Sequence, residues 1–166
     1  GENWDVIKTF EEIEDGTDVE WRKLKSFMQT SSLEIDTTYE NALTMVDIEN
    51  FTSYMILELW CQNFDWPHNN WYAARPKRPD GKWIFLIWDA ELGMGLNPSG
   101  WDTDSVALFF GHLDAPLTRI FNGFMKSRRF QRYFLDELDR HFATALSPET
   151  VIAHIDRQAE IIEDDI

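Results

Sequence analysis

The stretch Asn63-Phe-Asp-Trp-Pro-His-Asn-Asn-Trp-Tyr-Ala-Ala-Arg-Pro-Lys-Arg-Pro-Asp-Gly-Lys-Trp-Ile-Phe-Leu-Ile-Trp-Asp-Ala-Glu-Leu-Gly93 decides the fold. It opens with a proline set among short polar side chains, a composition that favours an ordered loop from Asn63 to Asn70. Trp71 to Arg75 and Lys82 to Trp88 then form two strand-like runs joined through Pro79-Asp80-Gly81, where Asp-Gly supplies the positive φ of a tight turn. The surroundings read as helix. Val19, Leu24, Phe27 and Met28 predict a helix over roughly 18–30, and a shorter one is expected near 37–45. Asp47 caps a central helix in which Ile48, Phe51, Met55 and Leu59 recur at helical spacing. After Asp89, the Gly-punctuated run Leu92 to Asp102 reads as a mobile loop. Helices return at roughly 116–126 and over Ser127 to Ala145, where Phe130, Phe134, Leu138 and Phe142 recur every four residues. A last one starts at Ser147-Pro148-Glu149, whose cap is worth about 1 kcal/mol. The expected fold class is α+β, mostly α, with one small β-hairpin, in a single domain over 1–166.

The composition agrees with one globular domain: 166 residues, 43% apolar and 14% aromatic. Fifteen basic against thirty acidic side chains give a net charge of −15, which repels nucleic acid and anionic membrane and excludes both as expected partners. The acid clusters Glu11, Glu12, Glu14, Asp15 and Glu160, Glu163, Asp164, Asp165 read as solubilising surface. Cys61 is the sole cysteine, so an internal disulfide and a cysteine-based zinc site are both excluded. No apolar run approaches the roughly 18–20 residues of a membrane span. Ile166 follows an unfinished helical pattern, so the chain is expected to be part of a longer one.

The polar residues Asp65, His68, Asn69, Asn70, Asp89 and Glu91 fall at the two places where the hairpin meets loops, and could converge there. Phosphoryl transfer needs a carboxylate to position the acceptor hydroxyl and receive its proton, and oxygen ligands to hold magnesium on nucleotide phosphates. In protein kinases the catalytic Asp precedes a metal-binding Asn by five residues, and a metal-binding Asp follows after a short hairpin. Asp65 and Asn70 have that offset, and Asp89 follows the expected hairpin. One Asp and one Asn oxygen suffice for Mg²⁺ at about 2.0–2.1 Å when phosphates and waters complete the shell.

The runs Asp47-Ile-Glu-Asn-Phe51, Asn63-Phe-Asp-Trp-Pro-His-Asn-Asn-Trp-Tyr72 and Gly81-Lys-Trp-Ile-Phe-Leu-Ile-Trp-Asp-Ala-Glu-Leu-Gly93 resemble the signature of the spore coat protein H (CotH) kinases. That family pairs an Asp-containing loop ending in His-Asn with a Trp-Asp-x-acid motif after a hairpin. The resemblance runs from about residue 18 to the end. It implies an atypical kinase, here its helical C-lobe-like half, using Mg²⁺ or Mn²⁺ with ATP to phosphorylate Ser or Thr of proteins such as spore coat components. Asp65 would be the catalytic acid-base residue, and Asn70 and Asp89 the metal ligands. A spore coat, secreted or cell-surface location is implied too. Glu91 departs from the pattern, standing where many members have Asp. The family's nucleotide-binding half precedes this region, so the chain alone is expected to grip ATP poorly and to be inactive by itself.

Other readings stay in view. Asp65 could cap its own loop, His68 could bond to Asp65 or bind metal, and Asn69 competes with Asn70 for the ligand role. Asp89 follows a strand that reads as buried, where an unpaired carboxylate would cost several kcal/mol, so a metal is its simplest partner. Asp89 and Glu91 could also be drawn as the carboxylate pair of a carbohydrate-active domain, with tryptophans as sugar platforms. Trp60, Trp66, Trp71, Trp83 and Trp88 around the hairpin fit core positions better. A non-catalytic module, either a degenerate kinase fold retained for protein contacts or a calcium-stabilised interaction domain, is the remaining alternative.

Overall fold

A computed structural model describes residues 3–96 and 100–163. The chain divides into two compact units, Gly1–Gln131 and Arg132–Ile166.

The first unit is built on a four-stranded antiparallel sheet with strand order β2-β1-β3-β4. Its strands are β1 (Trp4–Lys8), β2 (Glu12–Asp15), β3 (Trp71–Pro76) and β4 (Ile84–Ile87). The expected hairpin is there as β3 and β4, with Trp71 opposite Ile87 and Ala74 opposite Ile84. It is not a lone hairpin, because β1 pairs along its full length with β3, from Trp4↔Pro76 to Lys8↔Tyr72. Neither N-terminal strand has the sequence of an ordinary half-buried one. In β1 the inward positions are Asp5 and Ile7, and Asp5 is 3% exposed. Burying that carboxylate is tolerable because the Thr17 backbone N–H donates to it at 2.9 Å and Arg75 and Lys77 lie at 3.7 and 3.9 Å. The acidic β2 is held to Lys8, whose ammonium reaches Glu14 at 2.7 Å and Glu12 at 3.6 Å.

The β3–β4 connection also departs from expectation. Gly81 does not take positive φ. Its lack of a side chain is needed for space instead: a Cβ there would come within 2.1 Å of the Pro76 carbonyl oxygen.

Helices α1 (Val19–Thr30), α2 (Asp36–Met45), α3 (Ile48–Cys61) and α5 (Pro116–Met125) match the sequence expectation within a residue or two, whereas α4 (Ser105–Gly111) was not anticipated. Asp47 caps α3 as expected, its Oδ1 accepting from Asn50 N at 3.1 Å. A β-bridge between Val46 and Trp83 and the bond from Asp47 N to Trp83 O at 2.9 Å fasten the start of α3 to the sheet. One residue pair tightens this further: Phe85 N donates to Asn50 Oδ1 at 2.6 Å, and Asn50 Nδ2 donates to Phe85 O at 3.2 Å.

The core between helices and sheet is aromatic. Trp21 stacks on Trp71 at 5.6 Å and meets Trp83 edge-on at 5.1 Å, and Phe51 packs on Phe85 at 4.8 Å. Such pairs add about 0.5–1.5 kcal/mol each beyond the area they bury. Of the tryptophans expected in the core, Trp66, Trp71 and Trp83 are buried, Trp60 is half-buried, and Trp88 is exposed, against expectation.

The second unit holds most of α6 (Arg128–Ala143) and all of α7 (Pro148–Glu163). Ser147 Oγ accepts from Thr150 N at 3.3 Å with Pro148 next in line, so the expected start signal operates. Of the C-terminal acid cluster, Glu160 and Glu163 are exposed on α7, and Asp164 and Asp165 lie outside the described residues. Among the described residues no helix is long and apolar enough to cross a membrane.

Candidate functional site

The site grows from the end of α3. Gln62 closes that helix in the left-handed region, φ 55°, and turns the chain into the loop 63–70. Asn69 N donates to Asp65 O at 2.8 Å and Trp66 N to Asn63 O at 3.3 Å, so the loop is a bonded turn. Trp66 anchors it from below, buried against Phe109 of α4 at 4.8 Å, with its indole N–H donating to the Tyr54 hydroxyl at 2.7 Å. The cis Trp66–Pro67 bond shapes the same turn.

The loop ends at Asn70, immediately before β3. Asp89 lies just past the end of β4, so the β3–β4 register brings the two residues side by side. Asn70, 6% exposed, donates from Nδ2 to the backbone carbonyl of Asp89 at 2.9 Å. That bond identifies Nδ2 as the donor end of the amide and leaves Oδ1 as the end able to ligate a cation. Both residues take left-handed backbone, φ 54° and 55°, which Asn and Asp tolerate better than most side chains.

Asp65 is half-exposed in the same loop and feels His68, whose pKa is pushed down by burial and by His112, against the opposite pull of Asp65. His68 stacks on His112 at 4.3 Å and 16°, beside a cavity of about 650 Å³ also lined by Lys25, Trp71 and Arg119. Glu91 is exposed in the turn after Asp89, and of the glycine-punctuated segment Asn97, Pro98 and Ser99 lie outside the described residues.

One expectation is corrected. Asp89 is exposed, as are Leu86, Ile87 and Trp88 at the end of β4, with Trp88 at 55%. Because β4 is the last strand of the sheet, its outer end lacks the cover that an apolar run implies, so burial gives Asp89 no need of a counter-charge.

The donor set bears on which cation would fit. Among the described residues no group of three or more His, Cys, Asp or Glu side chains could hold a metal. A closed zinc- or calcium-type cage is therefore not formed by the described residues. One exposed carboxylate beside one amide oxygen suits a hard cation that keeps waters and takes its other ligands from a phosphate-bearing substrate.

A residue that sequence reasoning passed over lies beneath this loop. Glu58 falls seven residues after Phe51, on the apolar stripe of α3, where a charged side chain is out of place; that was the available signal. It is fully buried, accepts from Asn63 Nδ2 at 2.9 Å, and has its carboxyl pushed up to about 7 by burial, against the pull of Asn63 and Tyr54. Burial likewise pushes the Cys61 thiol up to about 11, so it is no ready nucleophile.

A family model described as CotH kinase protein matches residues 2–166. No curated protein and no solved structure matches the chain.

Proposed function

Since the chain belongs to the CotH kinase family, we propose that it carries the metal-holding and acceptor-activating part of a protein kinase acting on Ser or Thr with ATP. The observation that carries this reading is the pairing of Asn70 with Asp89 across the hairpin end, five residues after Asp65.

Asp65 receives the proton of the acceptor hydroxyl as its oxygen bonds to the γ-phosphorus and the bond from that phosphorus to ADP breaks. Asn70 Oδ1 and the Asp89 carboxylate would hold Mg²⁺ or Mn²⁺, which when bound neutralises charge on the nucleotide phosphates. The cavity beside His68 is the place assigned to the acceptor polypeptide, since it opens on the loop that carries Asp65. Lys25 and Arg119 line the same cavity, and burial and His112 push the His68 pKa down. By family, a spore coat setting and a protein substrate belong to the same proposal.

The test is phosphate incorporation with Mn²⁺ and ATP by the full-length protein, into itself and into a Ser-rich acceptor, read by intact mass. The Asp65→Asn variant runs alongside. Incorporation by the wild type that falls about 10²- to 10⁴-fold in the variant establishes the role of Asp65; equal incorporation by both removes it.

A second reading has one observation in its favour. Leu86, Ile87 and Trp88 form an exposed apolar strand end, as a module retained for protein contacts would present. The absence of incorporation under all conditions tested would shift weight to it. A sugar-binding surface is less well supported, because Trp66, Trp71 and Trp83 are committed to the core.

A further inference from the structure

The four polar side-chain atoms of Glu58 and Asn63 raise a question of proton count. Asn63 Nδ2 donates to Glu58 Oε2 at 2.9 Å, while Glu58 Oε1 and Asn63 Oδ1 are both buried with no hydrogen-bond partner. A lone buried acceptor costs about 1–3 kcal/mol, and although the Tyr54 hydroxyl also bonds to the Glu58 carboxyl, no donor is assigned to Asn63 Oδ1. A carboxylic acid and a carboxamide meet this need together: the amide N–H donates to one carboxyl oxygen while the acid O–H donates to the amide oxygen. A single proton on Oε1 satisfies both acceptors.

We propose that Glu58 is held as the neutral acid in a two-hydrogen-bond pair with Asn63, and that this pair is the positioning device that seats the Asp65 loop on α3. The seat lies two residues before Asp65, where the chain leaves the helix. The Tyr54 hydroxyl also bonds to the Glu58 carboxyl, which leaves Asn63 Oδ1 as the acceptor that a proton on Glu58 would meet. From α3 itself come the Tyr54 hydroxyl, held above its ordinary range chiefly by burial, and the buried Cys61 thiol. The loop side presents Asn63 and Trp66, β4 presents Phe85 against Tyr54, and α4 presents Phe109 against Trp66, none of them charged. Loss of the proton would place a carboxylate oxygen opposite the Asn63 carbonyl oxygen and loosen the seat.

The pair stands apart from the kinase reading, but its role for Asp65 rests on it, so the test has two readouts. In the first, ¹³C NMR of the glutamate carboxyls in the whole chain, assigned by difference with Glu58→Gln, follows Glu58 with pH, and the Asn63 side-chain amide signals are followed in step. A Glu58 midpoint near 7, with the Asn63 signals moving together with it, supports the pair; a midpoint near 4.5 overturns it. The second readout is the pH profile of phosphate incorporation. Glu58→Gln keeps both hydrogen bonds with no proton to lose, so its rate at pH 6 should match the wild type and the decline of the wild type above pH 7 should disappear. Glu58→Ala should lose up to about 10²-fold through misplacement of Asp65. Where Glu58→Ala does not fold, Glu58→Gln decides: the same decline as in the wild type overturns the positioning role. Absent incorporation with a midpoint near 7 would leave the pair standing and remove the kinase reading and the positioning role with it.

Discussion

Asn50 and Phe85 exchange two hydrogen bonds, the Phe85 N–H donating to the side-chain oxygen and the side-chain amide donating back to the Phe85 carbonyl, at 2.6 and 3.2 Å. A side chain on α3 thus does for β4 what a neighbouring strand would do, four residues before Asp89. Asn50→Ala should destabilise the protein by about 2–3 kcal/mol, because the N–H of buried Phe85 loses its acceptor. Asn50→Asp keeps the acceptor but sets a carboxylate against a carbonyl, and should fall between the two. Urea denaturation of the three proteins checks the order.

Asn70 bonds to the backbone of Asp89 and not to its carboxylate, which separates what the two side chains do. Asp89→Asn removes charge while keeping the bond and the tolerated left-handed backbone, so its stability should stay within about 0.5 kcal/mol of wild type. Asn70→Ala loses the bond and puts Ala at φ 54°, and should cost about 1–3 kcal/mol. Both should weaken Mn²⁺ binding in the presence of ATP, measured by electron paramagnetic resonance of the free ion. Weakening by Asn70→Ala alone would reassign Asp89 to a structural part.

Gly81→Ala should lower the melting temperature although the φ there suits any residue. The new methyl would meet a backbone oxygen at 2.1 Å, and that oxygen cannot rotate away. A cost of about 1–3 kcal/mol, read by calorimetry, is the expectation. An unchanged melting temperature would mean that the connection shifts freely.

Glu58 gives stability a definite dependence on pH. Its folded pKa of about 7 exceeds its ordinary 4.5, so between these values the folded protein holds a proton that the unfolded chain has released. The contribution is complete below about 4.5, falls as pH rises toward 7 and is gone above it, a loss of about 3 kcal/mol. Chemical denaturation across that range should show the decline in wild type and its absence in Glu58→Gln.

Most helices were legible because each couples an apolar stripe to a cap, as with Asp47 before Ile48 and Ser147 before Pro148. The N-terminal strands were not, because β1 turns Asp5 inward and β2 is mostly acidic. Their pairing depends on Arg75, Lys77 and Lys8, which sequence-local rules do not weigh. Helix α4 was hidden by its seven-residue length beside an irregular run. At the site, spacing sufficed to pick out Asn70 and Asp89 as a pair, but not the backbone carbonyl that joins them. It also suggested a buried Asp89, because an apolar run says nothing about whether its strand is the last in the sheet.

The antiparallel register of β3 and β4 is the ruler that sets Asn70 against Asp89, and it is fixed partly at the far end, where Gly81 passes beneath Pro76. A slip of one residue would carry Asn70 past its partner and turn every side chain of one strand to the opposite face. A lengthened turn could therefore silence the site while leaving the protein folded, so distance from the chemistry does not make the residues between Pro76 and Trp83 neutral ground.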